Sequence, residues 1–276
     1  MLADSSTALS QGAVMLRTAF LSLLVLAGIS MTAAAQAAVS TRVIDYSSNG
    51  QVFEGLLVTP EGPPQQRPLV LMIHNWMGVS AETRKQAARF AELGYAVFAA
   101  DIYGKGIRPR DASEAGAQAT LYKNDRALFR QRLNLALDTA LQQPGIDPAR
   151  VAVVGYCFGG TGALELARSG AGVLAVVSLH GGLDSPTPAD GSKIKGRVLA
   201  LHGADDPFVA ATDIAAFEAE MQDHRVRYQL IRYPGAVHSF TDVGAGNDNS
   251  KGAAYNAEAD RQSFAEVRQL LADTLQ

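Results

Sequence analysis

Apolar residues in this chain fall into short runs that alternate with segments of amphipathic pattern. A short apolar run bounded by turn residues is typical of a strand covered on both faces, and apolar positions three or four apart are typical of a helix that packs on one face. The pattern predicts strands at 42–45, 51–58, 69–74, 95–100, 151–155, 173–179, 198–201 and 225–231. It predicts helices at 81–93, 125–141, 161–168, 212–221 and 253–271, and an irregular connection at 103–118.

This order of strands and helices predicts an α/β protein with a mostly parallel sheet and helices on both faces. The first two predicted strands flank the turn Ser47-Ser48-Asn49-Gly50, so we expect them to form an antiparallel N-terminal edge. Side chains that carry chemistry collect at the carboxyl ends of the strands in such sheets. We therefore expect the functional residues directly after predicted strands.

The N-terminus has the pattern of an export signal. Arg17 precedes an apolar run at 19–29, and small residues then lead to Ala35-Gln36-Ala37, which fits an A-x-A cleavage motif. The true start is either Met1 or Met15, because residues 1–14 sit awkwardly ahead of a charged signal-peptide start.

We expect cleavage before Ala38, so that residues 1–37 are a signal peptide and residues 38–276 form a single domain. The mature protein is then periplasmic or secreted and has no stable membrane insertion. The alternative interpretation is an uncleaved membrane anchor, although the apolar run is short against the roughly 20 residues of a spanning helix.

Charge and cysteine content narrow the function classes. The net charge is −3 and no Lys/Arg cluster occurs, which gives no electrostatic basis for nucleic-acid binding. The chain has a single cysteine, Cys157, which cannot form an intramolecular disulfide. It is therefore either an inert buried residue or a reactive thiol.

The segment 155–160, Gly-Tyr-Cys-Phe-Gly-Gly, lies between a predicted strand and a predicted helix. It fits the nucleophile-elbow pattern G-x-S-x-G with cysteine in place of serine. A helix starting beside Gly159 favours the thiolate of Cys157, and the backbone amide of Phe158 is a candidate oxyanion donor. The alternative is a structural glycine-rich turn with a buried cysteine.

A candidate acid and a candidate base follow the nucleophile in the order that α/β-hydrolases use. Asp206 lies in the turn after the strand 198–201, and His238 lies in a glycine-containing loop before the last helix. A histidine can accept the thiol proton near neutral pH, and a carboxylate fixes its tautomer. Asp205 competes with Asp206, and the D-x-x-V spacing favours Asp206.

The other histidines receive a simpler interpretation. Three of them follow apolar strands and are expected to be hydrogen-bonded residues of the site wall, whereas His224 is expected to be solvated; the three are His74, His180 and His202. No H-x-H, H-E-x-x-H or Cys/His cluster occurs, so we predict neither a metal site nor a cofactor.

Taken together, five motifs make the chain similar to the dienelactone hydrolase family. They are H-N-W-M-G-V at 74–79, A-D-I-Y at 100–103, G-Y-C-F-G-G at 155–160, D-P-F-V at 206–209 and H-S-F at 238–240. The resemblance spans about residue 51 to the C-terminus. It implies an α/β-hydrolase fold without metal or cofactor, acting on small esters or lactones through an acyl-thioester. It also implies that the backbone amide of Trp76 is a second oxyanion donor beside that of Phe158.

Two departures from the family pattern concern the substrate pocket. Asn75 stands where the namesake enzymes carry a glutamate that helps to generate the thiolate, so His238 has to activate Cys157 more directly. Lys105 and Asp242 stand where the namesakes use two arginines for a substrate carboxylate. The resulting expectation is a preference for neutral esters or lactones.

Two other functions remain open from the sequence. One is a catalytically silent binding protein that keeps the fold and the pocket, because fold does not guarantee function. The other is a thiol-redox protein, which the absence of a second cysteine disfavours. A turnover assay on a short-chain ester separates the hydrolase from the silent protein.

Overall fold

The computed structural model describes residues 38–63 and 65–276, so the predicted signal peptide lies outside the described residues. Eight strands form one sheet: β1 (Val39–Ser48), β2 (Gln51–Pro60), β3 (Arg67–Ile73), β4 (Ala96–Ala100), β5 (Ile146–Tyr156), β6 (Ala175–Leu179), β7 (Arg197–Gly203) and β8 (Tyr228–Tyr233). The α-helices are α1 (Ala81–Ala91), α2 (Ala112–Asn124), α3 (Arg126–Leu141), α4 (Phe158–Arg168), α5 (Ala211–Asp223) and α6 (Ala257–Leu275).

The sheet has the strand order β1-β2-β4-β3-β5-β6-β7-β8. β1 pairs antiparallel with β2, and β2 pairs antiparallel with β4. The remaining neighbours, from β4 to β8, all pair in parallel. This topology confirms the predicted mostly parallel sheet with an antiparallel N-terminal edge.

Alternate side chains of the central strand β5 point to opposite faces of the sheet, as the pleat requires. Val153 belongs to a core cluster that contains Phe129 of α3. Its neighbour Val154 belongs to the opposite cluster, which contains Phe90 of α1 and Leu271 of α6. Helices therefore cover both faces, which explains why the predicted strands are continuous apolar runs.

Several element boundaries differ from the predictions, and three of them are described here. The predicted connection at 103–118 contains most of α2, which Asp111 caps by accepting a hydrogen bond from the Glu114 amide. The alanine-rich sequence of α2 buries only Ala115 and Tyr122, so it lacks the apolar period on which the prediction relied. β8 starts three residues later than predicted, at Tyr228, and α6 starts at Ala257 instead of 253.

No helix within the described residues is long and apolar enough to cross a membrane. At the functional edge of the sheet, the carboxyl ends of β3, β5, β6, β7 and β8 lie side by side. The segments that follow these strands carry the predicted site residues apart from Lys105, which follows β4.

Candidate active site

Cys157 sits at a sharp turn between β5 and α4. Its φ of 54° and ψ of −116° place a non-glycine residue in a strained region of backbone space. Two hydrogen bonds hold the turn: the Cys157 amide donates to the Leu179 carbonyl at 2.9 Å, and the Gly160 amide donates to the Cys157 carbonyl at 2.9 Å. The thiol is thereby raised above the strand end, next to the first turn of α4.

The glycines on either side of Cys157 are required by close backbone approach. A Cβ atom on Gly155 would lie 1.8 Å from the Gly159 carbonyl oxygen, and one on Gly159 would lie 2.2 Å from the Ile73 carbonyl oxygen. Neither contact can be relieved by a side-chain movement, because backbone atoms form it. The G-x-C-x-G spacing is thus a packing requirement of the elbow.

The structure brings Cys157, His238 and Asp206 into one hydrogen-bonded chain. His238 Nε2 lies 3.0 Å from Cys157 Sγ, and His238 Nδ1 lies 2.8 Å from Asp206 Oδ2. The Asp206 side chain is fully buried, and its Oδ1 accepts a hydrogen bond from the Phe208 amide at 2.9 Å. Distances of this size are those of a nucleophile, a base and the acid that orients the base.

The neighbouring aspartate has a different place. Asp205 is exposed, and its Oδ2 accepts a hydrogen bond from the Gly235 amide at 3.1 Å. Asp205 therefore connects the turn after β7 to the turn after β8. The structure places Asp206, not Asp205, against the imidazole.

Electrostatics favour the charged forms of the thiol and the imidazole. Burial by itself would raise the pKa of the Cys157 thiol, but the hydrogen bond and charge of His238 outweigh it and hold that pKa below its ordinary value. Burial likewise opposes protonation of His238, yet Asp206 and the thiolate raise the pKa of His238 to about 10. Both shifts favour the charged pair, a thiolate beside an imidazolium.

The two predicted oxyanion donors lie at the ends of different elements. Phe158 is the first residue of α4, so its amide has no acceptor within the helix. The amide is instead directed to the Cys157 thiol, and this hydrogen bond contributes to lowering the thiol pKa. Trp76 is an inner residue of the turn in which the Gly78 amide donates to the Asn75 carbonyl at 3.2 Å. Asn75 Oδ1 accepts from the Met77 amide at 2.9 Å.

The predicted pocket residues Asn75, Lys105 and Asp242 make the following contacts. Lys105 is half exposed and pairs with Asp45 at 2.5 Å and with Glu54 at 3.7 Å, and it makes no contact with the triad among the described residues. Asp242 Oδ1 accepts a hydrogen bond from the Gly244 amide at 2.8 Å and caps a short 3-10 turn. The Asn75 side chain stabilises the turn that contains Trp76 by accepting the hydrogen bond from the Met77 amide.

Two histidines predicted for the site wall are buried near His238. The His180 ring lies edge-on to the His238 ring at 5.3 Å, and its Nε2 lies 2.8 Å from Thr241 Oγ1. Burial and the charge of His238 keep the pKa of His180 well below its usual range. His202 is also buried, at the end of β7, and its burial lowers its pKa. Burial therefore disfavours the charged form of both rings.

Lys123 is a site neighbour that the sequence did not reveal. It stands in the last turn of α2, makes no ion pair with any residue that the structure describes, and its charge helps to lower the pKa of the Cys157 thiol. The segment was not recognised as a full helix, so nothing in the pattern pointed to this position.

The described residues contain no cluster of three His, Cys, Asp or Glu side chains that could hold a metal ion.

A strained cysteine at the strand-to-helix turn of a mostly parallel sheet, with a histidine and an aspartate on later loops, defines the α/β-hydrolase class. The profile of the dienelactone hydrolase family matches residues 53–275, so the chain belongs to the dienelactone hydrolase family. This membership makes the protein a small-molecule hydrolase.

Individual relatives agree with this assignment. A protein of Synechocystis sp. that carries the provisional name carboxymethylenebutenolidase is 27% identical over 84% of this chain and 96% of its own length. The solved structure of m3DLH has a TM-score of 0.83 and 38% identity, covering 87% of this chain and all of its own. A dienelactone hydrolase-like promiscuous phosphotriesterase from metagenomic libraries, P91, has a TM-score of 0.82 and 35% identity over 87% of this chain and all of its own.

Proposed function

We propose that this protein cleaves small carboxylic esters, lactones or thioesters with Cys157 as the nucleophile, His238 as the base and Asp206 as the acid that orients it. The carboxylic-ester class follows from the family and from its carboxymethylenebutenolidase-named relatives. The observation that carries the nucleophile is the hydrogen-bonded chain from Cys157 Sγ through His238 to the buried Asp206.

In the first half-reaction the thiolate of Cys157 attacks the carbonyl carbon, a C–S bond forms, and the carbonyl π electrons move to oxygen. The amides of Trp76 and Phe158 donate to this oxyanion. The carbonyl then re-forms as the bond to the leaving oxygen breaks, and His238 Nε2–H protonates that leaving alkoxide. The product is an acyl-thioester on Cys157 and a neutral His238.

In the second half-reaction His238 Nε2 takes a proton from water, and the resulting hydroxide attacks the thioester carbonyl. The C–S bond breaks and returns the thiolate, while the acid product leaves. The proton now on His238 restores the starting ion pair, so the cycle consumes one water for each ester. The low thiol pKa helps this step, because a stable thiolate is a good leaving group.

The apolar surface beside the proposed triad supports a neutral substrate. Asp45 and Glu54 neutralise Lys105, while Asp242 makes no ion pair with a described residue. Phe208 lies edge-on to the His238 ring at 5.4 Å and is 63% exposed, so it offers an apolar surface beside the proposed base. A small neutral ester or lactone can contact this ring without the desolvation cost that a carboxylate would incur.

A chromogenic short-chain ester tests the proposal. We expect turnover by the unmodified protein, none by Cys157→Ala, and a mass increase of one acyl group on Cys157 when a slowly hydrolysed ester is mixed with the enzyme. A phosphotriester belongs in the same panel, because the relative P91 is named for that activity. A folded protein that binds esters without turning them over would be the silent binding protein instead.

A further inference from the structure

His74 is a fully buried histidine at the end of β3, and the proposed reaction gives it no chemical task. Its Nδ1 lies 2.6 Å from the Asn75 carbonyl oxygen, and its Nε2 accepts a hydrogen bond from the Ile102 amide at 3.3 Å. A carbonyl can only accept and an amide N–H can only donate. The ring is therefore the neutral tautomer that carries its proton on Nδ1.

The Asn75 carbonyl that His74 holds belongs to the peptide unit whose N–H is the amide of Trp76. In a trans peptide the C=O and N–H point in opposite directions, so fixing the carbonyl also fixes the direction of the N–H. The Gly78 amide donates to the same carbonyl at 3.2 Å. His74 Nδ1 and the Gly78 amide thus hold the carbonyl end of this peptide unit, and the Trp76 N–H points away from them.

We propose that His74 is a positioning residue of the oxyanion hole, which orients and polarises the Trp76 amide through the Asn75 carbonyl. This inference rests on the proposed function, since it concerns the oxyanion of that reaction. A hydrogen bond to a carbonyl strengthens the N–H of the same amide as a donor, and this N–H is the one that the oxyanion meets.

The surroundings of His74 connect both oxyanion donors. Its ring stacks on Phe158 with centroids 5.7 Å apart and meets Tyr103 edge-on at 4.7 Å. The Tyr103 hydroxyl in turn donates to the Trp76 carbonyl at 3.0 Å, so the peptide units on both sides of Trp76 are held.

The Ile102 bond anchors this arrangement to the end of β4, which makes it part of the rigid sheet edge. Burial lowers the pKa of His74 to about 4, so the ring stays neutral and keeps this bond throughout the working pH range.

The test compares two reactions of the same thiol. Ester acylation builds an oxyanion, whereas alkylation by iodoacetamide displaces iodide at a saturated carbon and builds none. We expect His74→Leu to lower the acylation rate constant of a chromogenic ester about 10- to 100-fold, somewhat less than the loss of a whole donor. The alkylation rate at neutral pH should change less than about threefold, because the thiol, His238 and Asp206 are untouched.

His74→Asn is the rescue variant, since its amide nitrogen can replace Nδ1 as the donor to the Asn75 carbonyl. We expect it to recover most of the acylation rate that His74→Leu loses. Phe90→Leu is the matched control for a buried cavity, because Phe90 packs in the cluster on the opposite face of the sheet. It should lower the melting temperature without changing the ratio of acylation to alkylation.

Equal losses of acylation and alkylation in His74→Leu, or no rescue by asparagine, would overturn the positioning role. If His74→Leu does not fold, the ¹⁵N spectrum of the unmodified protein decides: a His74 ring protonated on Nε2 in place of Nδ1 overturns the inference. An unmodified protein that is alkylated but never acylated by any ester overturns the proposed function itself, and the inference with it.

Discussion

Replacing Asp206 by asparagine tests the acid of the proposed triad by exchanging one carboxylate oxygen for an NH₂ group. Asp206 Oδ1 accepts from the Phe208 amide, and Oδ2 faces His238 Nδ1 at 2.8 Å. An asparagine has to keep its carbonyl oxygen toward the Phe208 amide, since the opposite orientation would place two donors against each other. Its NH₂ group therefore faces His238 Nδ1.

The consequence is the wrong tautomer of the base. With a donor in front of Nδ1, that nitrogen becomes the acceptor, and the proton moves to Nε2, which lies 3.0 Å from Cys157 Sγ. Such an imidazole cannot accept the thiol proton, and the carboxylate that raised the pKa of His238 is gone. Where a triad carboxylate is replaced in this way, kcat falls by about 10⁴, so we expect roughly 10³ to 10⁴ here, or about 4 to 5.5 kcal/mol in barrier height.

The assay is kcat/KM for a chromogenic ester near neutral pH, with thermal unfolding to verify the fold. Asp205→Asn is the matched control, because Asp205 is exposed and its side chain accepts a hydrogen bond from the Gly235 amide, which the asparagine oxygen can also accept. We expect it to retain activity to within about two- to threefold. An Asp205→Asn loss larger than that of Asp206→Asn would refute the assignment of the acid.

Four further predictions follow from the same geometry. Cys157→Ala should abolish ester hydrolysis and keep the fold, as measured by turnover and by circular dichroism, whereas Cys157→Ser should retain a trace. Iodoacetamide should alkylate Cys157 faster than free cysteine at neutral pH, because the lowered pKa keeps the thiolate present below the usual titration range. The alkylation rate should fall as acid protonates the thiolate. His238→Ala should also slow alkylation, since burial alone raises the thiol pKa. N-terminal sequencing of the native protein should show a start near Ala38, and a cytoplasmic product that starts at the first methionine would contradict the export signal. The kcat/KM for a neutral ester should exceed that for a carboxylated lactone, and Asp242→Arg should raise the lactone value. A tenfold preference for the lactone that disappears in Lys123→Gln would show instead that Lys123 binds the carboxylate.

The sheet and the order of the candidate triad were predictable because both depend on local sequence. Apolar runs identify strands buried on both faces, and glycine is required beside Cys157 because a Cβ on Gly155 would lie 1.8 Å from the Gly159 carbonyl oxygen. The strand-to-helix context then marks the elbow. Asp206 and His238 follow later strands in parallel order, and parallel strands bring their carboxyl ends to one edge.

The pocket was less predictable, because side-chain partners come from distant parts of the chain. Lys105 was expected near the substrate, yet Asp45 on the edge strand β1 holds its ammonium group. Lys123 escaped notice, because its helix buries few residues and has little apolar period. His74 was expected in the wall, but its link to Trp76 depends on a bond to the adjacent carbonyl, which no sequence pattern encodes.

Backbone strain is concentrated at the proposed site, and this bears on how the site is held. Five described non-glycine residues have positive φ. Three of them belong to the proposed triad or lie next to it: Cys157 at 54°, His180 at 41° and Ser239 at 57°. Each such residue costs on the order of 1–3 kcal/mol, so surrounding contacts must compensate. The compensation is visible at Cys157 and His180, whose amides donate to the carbonyls of Leu179 and Leu201 at the ends of neighbouring strands. Cys157 is thus held in place by the sheet itself, and substitutions that loosen the ends of β6 and β7 should reduce turnover before they reduce the global stability of the fold.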